Sequence, residues 1–126
     1  DKDQALRWYK LAGESGNEYA QFTVGRFYES LGNPHDNVEA FKWYEKAAKL
    51  GNSFAQHKIG LLLLHGKGVE QNNIKAHVWL NLASSKGSLK ANSERKKLEK
   101  SLSDSELKLA RENAVKCLMT DYVTCP

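Results

Sequence analysis

The chain has 126 residues, 40% of them hydrophobic, with 19 lysines and arginines against 15 carboxylates for a net charge of +4. This is one domain's length with an ordinary globular composition, which excludes a disordered chain and leaves enough apolar material for a real core. The longest apolar run, Ile59 to Leu64, falls far short of the roughly 18 residues a membrane span needs, and the chain holds only two prolines, Pro34 and Pro126.

In chain order, the apolar spacing predicts helices over about 3–15, 18–31, 36–50, 53–65, 72–86, 89–100 and 103–119. Ala40, Trp43, Tyr44, Ala47 and Ala48 fall at i, i+3, i+4, i+7 and i+8, one face of a helix. Asp36 with Glu39 reads as a capping box for this helix, and Gly51 as the left-handed residue after its last turn. The segments SLGNPHD (30–36) and HGKGVEQNN (65–73) read as turns. Ser103 with Glu106 reads as a capping box for the last helix, where Leu107, Ala110, Ala114 and Leu118 form an apolar stripe.

These helices repeat. ALRWYKLAGESGN from Ala5, AFKWYEKAAKLGN from Ala40 and AHVWLNLASSKGS from Ala76 share one register. Trp8, Trp43 and Trp79 lie 35 and 36 residues apart, as do Gly16, Gly51 and Gly87, and Ala20, Ala55 and Ala91. A first helix precedes the tryptophan helix in each complete unit, AQFTVGRFYESL from Ala20 and AQHKIGLLLLHG from Ala55. Gly25 and Gly60 recur inside it. Since an interior glycine costs a helix about 1 kcal/mol against alanine, they imply close helix contact. The three tryptophans are expected at equivalent, mostly buried positions. The predicted fold is all-α, a right-handed superhelix of antiparallel helix pairs in one domain (1–126). Its parts are an orphan second helix (3–17), repeats 18–52 and 53–88, divergent capping helices (89–120) and a tail (121–126). Terminal units of a solenoid diverge because the last apolar face needs a polar cover. The chain opens inside a repeat, so it reads as a monomeric fragment of a longer array, and the lack of a leader says nothing of its compartment.

Ile59-Gly60, Gly66-Lys67-Gly68-Val69, Lys75-Ala76 and Trp79, with Glu39-Ala40, Trp43, Ala47-Ala48 and Gly51 before them, resemble the unit of the Sel-one-like repeat family, relatives of the tetratricopeptide repeats. Gly32-Asn33-Pro34-His35 departs from that unit's turn. A plain tetratricopeptide array, with its period of 34, fits less well. The resemblance implies architecture more than chemistry, because the motif residues are structural.

No residues announce catalysis. His35, His57, His65 and His77 lack metal-ligand spacing and read as surface or groove residues. Gly66-Lys67-Gly68 lacks the phosphate-loop pattern. No metal, cofactor or enzymatic activity is expected. The segment from Lys86 to Lys100 holds six basic and two acidic residues, a solvated face or an anionic contact. No aromatic residue stands among these lysines to stack bases, so nucleic acid is not the expected partner. Cys117 and Cys125 are either free thiols or, in an oxidising compartment, a small closed loop. The family resemblance favours the disulfide, and with it a periplasmic or secreted location over the cytoplasm.

The resemblance also implies a function: a protein-interaction scaffold binding a peptide or partner protein, an acidic one among the candidates. The alternative is an enzyme or enzyme-associated module acting on a cell-wall-type polymer. Groove positions in related folds lie on the first helix of each pair, six and three residues before the repeat glycine and one and four after. They fall on Tyr19, Phe22, Arg26 and Glu29, then Phe54, His57, Leu61 and Leu64, then Lys90, Ser93, Lys97 and Lys100. The competing expectation is that the apolar members pack between repeats.

Overall fold

The computed structural model describes residues 1–126 as seven helices and no strand. They are α1 (Lys2–Glu14), α2 (Glu18–Leu31), α3 (Pro34–Lys49), α4 (Ser53–His65), α5 (Asn73–Ser85), α6 (Leu89–Glu99) and α7 (Asp104–Met119). α2 pairs with α3 and α4 with α5, while α1 lies on α2, α3 on α4 and α5 on α6. The result is an all-α helical repeat.

Small residues set the spacing. Ala40, Ala47, Ala48, Ala55, Ala76, Ala83 and Ala91 are all fully buried. The recurring glycines have the expected packing reason. A methyl group at Gly25 would stand 2.6 Å from the Tyr44 ring, and one at Gly60 would stand 2.7 Å from Leu80. Tyr44 and Leu80 occupy one register position of the second helix, so each pair is fitted against a bare helix backbone.

The joints between pairs are one device used three times. Gly16, Gly51 and Gly87 have φ between 92° and 100°, left-handed backbone that glycine adopts without a Cβ clash. The next residue's N–H reaches back to the helix just ended: Asn17 to Ala12, Asn52 to Ala47 and Ser88 to Ala83, at 3.1–3.2 Å. The same Asn17, Asn52 and Ser88 then cap the following helix, accepting from Ala20, Ala55 and Ala91. One residue closes a helix and opens the next.

Three expectations are corrected. Trp43 and Trp79 are buried (7% and 1% exposed), but Trp8 is 75% exposed. Trp43 is covered by α1, where Gly13 leaves room for its ring, and no helix in the structure stands in that relation to Trp8. The Asp36–Glu39 capping box does not form. α3 starts two residues earlier, with Asn33 as cap, Pro34 in the first turn and the Asp36 N–H donating to Asn33 at 2.9 Å. The turn there shrinks to Gly32 and Asn33, while the longer loop, Gly66 to Asn72, presses Gly68 onto the backbone of Asn37. His77 is fully buried, because Glu99 of α6 reaches its Nε2 at 2.8 Å. α7 lies chiefly on α5. α6 buries only Ala91 and Leu98, whereas α5 buries seven of its residues and offers an apolar face on more than one side. The Ser103–Glu106 capping box of α7 is present as expected.

Candidate functional site

A cleft of about 910 Å³ opens where α2, α4 and the start of α6 meet. Phe22 enters from α2, Phe54, His57, Lys58 and Leu61 from α4, and Lys90, Ser93 and Glu94 from α6. The α5–α6 joint adds Lys86, Gly87 and Ser88. The aromatic wall is continuous: the Phe22 ring lies 6.0 Å from Phe54 and 5.6 Å from Tyr44. Phe54 remains 70% exposed, a large apolar surface left in water at the mouth.

Of the expected groove positions, the cleft gathers Phe22, Phe54, His57, Leu61, Lys90 and Ser93. The others lie outside its lining. Tyr19 stands in solvent. Arg26 lies with its guanidinium carbon 5.9 Å from the Phe22 ring centre. Glu29 ties helices together, accepting from the Tyr44 hydroxyl at 2.6 Å and pairing with Lys58 at 3.2 Å. Burial, then this Glu29 bond, holds the Tyr44 hydroxyl well above its ordinary pKa. Leu64 packs half-buried on the core. Lys97 and Lys100 lie beyond the cleft, which takes only the first half of α6. The positions missed are Ser53, Lys58, Leu89 and Glu94 on the helices and Lys86, Gly87 and Ser88 on the joint. Lys86 read as the end of a helix and the start of the basic segment, and nothing in helical spacing places a helix end in the groove of its neighbours.

Electrostatically the cleft is basic at one end. Lys58 is committed to Glu29, and the Lys86 ammonium donates to the Gly51 carbonyl at 2.6 Å. His57 is held neutral by burial and by Lys58, with its pKa below the ordinary histidine value, and its Nε2 is buried without a partner. No group of three His, Cys, Asp or Glu side chains stands close enough to share a metal ion.

Beside this end lies the chain's tail. Cys117 and Cys125 come within bonding distance, their Cα atoms 4.7 Å apart, and close a disulfide loop. The turn inside it carries Asp121 and Tyr122 in left-handed backbone. Tyr122 is buried, and the Trp79 indole N–H donates to the Pro126 carbonyl at 3.2 Å.

The Sel1 repeat model matches residues 1–17, 19–52 and 53–88. Among solved structures, c5321, a protective antigen present in uropathogenic Escherichia coli strains and displaying an SLR fold, matches 93% of this chain with a TM-score of 0.84 and 28% identity. The chain spans 26% of that protein's length. A Sel1 repeat protein from Oxalobacter formigenes matches 77% of this chain and 74% of its own, with a TM-score of 0.71 and 33% identity. No curated protein matches the chain. With matches through both complete helix pairs and α1, and this helical architecture behind them, the chain belongs to the Sel1 repeat family.

Proposed function

We propose that this chain is an interaction scaffold whose cleft takes an extended segment of a partner protein, apolar at one end and acidic at the other. Sel1 repeat proteins are in general helical scaffolds for protein interaction. The observation that supports the finer reading is the joining of Phe22, Phe54 and Leu61 with Lys86 and Lys90 in one open cleft. Exposed apolar surface rimmed by charge marks contact sites, and aromatic anchors dominate the binding energy of such contacts. The acidic end belongs over Lys86 and Lys90, not over Lys97 and Lys100 as the repeat offsets alone imply. The alternative of an enzyme or enzyme-associated module acting on a cell-wall-type polymer draws no support from the cleft, where His57 is the one group with a shifted pKa and its Nε2 meets nothing.

Selection of a displayed library of random linear peptides against the protein tests this. Enriched peptides should combine an aromatic or branched side chain with Asp or Glu. Phe22→Ala and Leu61→Ala should weaken their binding about tenfold or more, mostly through faster release. Lys86→Ala and Lys90→Ala should lessen the salt dependence of association. Peptides that bind all four variants as they bind the parent would remove the cleft from the function.

A further inference from the structure

The tail touches the cleft through one lysine. The Lys86 ammonium lies 5.5 Å from the centre of the Tyr122 ring while donating to Gly51. The Tyr122 ring also backs onto Gly51, 3.5 Å from where a side chain there would begin. Lys86 therefore stands in a socket with two walls, a carbonyl of the α3–α4 joint and an aromatic ring of the tail.

The Trp79–Pro126 bond holds the far side of the tail, and Tyr122 itself is buried against the core, its backbone set by the closed loop around it. Its N–H donates to Cys117 at 2.8 Å, and Thr120 accepts from the Thr124 N–H at 3.1 Å. Against these, Asp121 and Tyr122 sit at φ 52° and 66°, a conformation that side chains with a Cβ adopt with strain. The bond from Cys117, fully buried on α7, to Cys125 ties down both sides of that turn.

We propose that the Cys117–Cys125 loop is a redox-sensitive element that sets Lys86 at the basic end of the cleft. A dithiol reductant supplies two electrons and two protons. The S–S bond breaks, both cysteines become thiols and the reductant leaves as its own disulfide. The turn then loses its covalent tether and relaxes, Tyr122 leaves the lysine, and Lys86 keeps only its bond to the Gly51 carbonyl. The regulatory meaning rests on the cleft reading, but the device itself is tested without any ligand.

Lysine acetylation by an N-hydroxysuccinimide ester, read residue by residue by mass spectrometry, compares the oxidised protein with protein reduced by dithiothreitol. Lys86 labelling should rise at least twofold on reduction, while Lys67, on the distant α4–α5 loop, stays constant. Tyr122→Ala should give the same rise with the disulfide intact. Equal Lys86 labelling in both states, or in both side chains at position 122, overturns the proposal. So does a parallel rise at Lys46, whose ammonium lies 4.2 Å from the Trp43 ring centre, since that reports general unfolding. A peptide selected on the cleft then separates the two readings. If Lys86 responds and peptide affinity does not, the device stands and its link to binding fails.

Discussion

Gly25 and Gly60 show how one missing atom sets the distance between helices. With the Tyr44 ring 2.6 Å from a methyl at Gly25, and Leu80 2.7 Å from one at Gly60, alanine at either site forces a buried side chain out of its packed position. Overpacking of this kind costs about 1–3 kcal/mol, against a gain of about 1 kcal/mol from alanine's better helix propensity. Gly25→Ala and Gly60→Ala should therefore each lower the urea midpoint. A raised midpoint would mean that propensity outweighs contact. The contact was legible from the register of the two glycines alone. The buried glutamines were not. Gln21 and Gln56 donate to the carbonyls of Gly13 and Ala48 at 2.9 and 3.1 Å, the same bond 35 residues apart. A glutamine on an apolar face reads as solvent-facing, and only the repeated Ala-Gln pair carried a signal. In the third unit the bond changes type, with Ser84 donating to Asn92 at 3.2 Å.

At the scale of elements, α1 is the helix with least behind it. It buries Gly13 alone, and Trp8 and Leu11 stand in solvent. A unit of a repeat array with one neighbour opens more readily than one with two. Amide hydrogen exchange should therefore be faster around Trp8 than around Trp43 under native conditions, and equal protection would contradict this account. Helix existence followed from spacing, and Ser103 with Glu106 announced α7 because both halves of the box lie within one turn. The start of α3 was hidden by Pro34. Proline read as a turn former, whereas at the first helical position its fixed φ suits the helix and its missing N–H costs nothing. The seat of α7 on α5 was not legible either, since it depends on how little apolar surface α6 offers.

For the whole molecule, two groups make stability fall in acid. Burial disfavours the charged form of Glu99, but the bond from His77 and the charge of Arg95 outweigh it and hold the carboxyl below its ordinary value. A carboxylate so placed adds stability above its unfolded pKa of about 4.3, and this is lost as pH falls through the lower folded value. His57 is depressed by burial, so its contribution is complete above about 6.5 and is lost as pH falls below that toward its folded value. The urea midpoint should decline as pH falls below about 6.5 and again below about 4.3, and Glu99→Gln should lessen the second decline. The three-residue joints, Ser15–Asn17, Leu50–Asn52 and Lys86–Ser88, are identical in length, while the connections inside pairs run from two residues to seven. The last residue of each joint already serves both helices, so that margin of the array has no slack, and it is the margin from which Lys86, Gly87 and Ser88 enter the cleft. The opposite margin can lengthen at Gly32–Asn33 or Gly66–Asn72 without moving a helix. The molecule thus has a growing side, open to inserted segments, and a gauged side, where a single added residue would turn every later helix out of step.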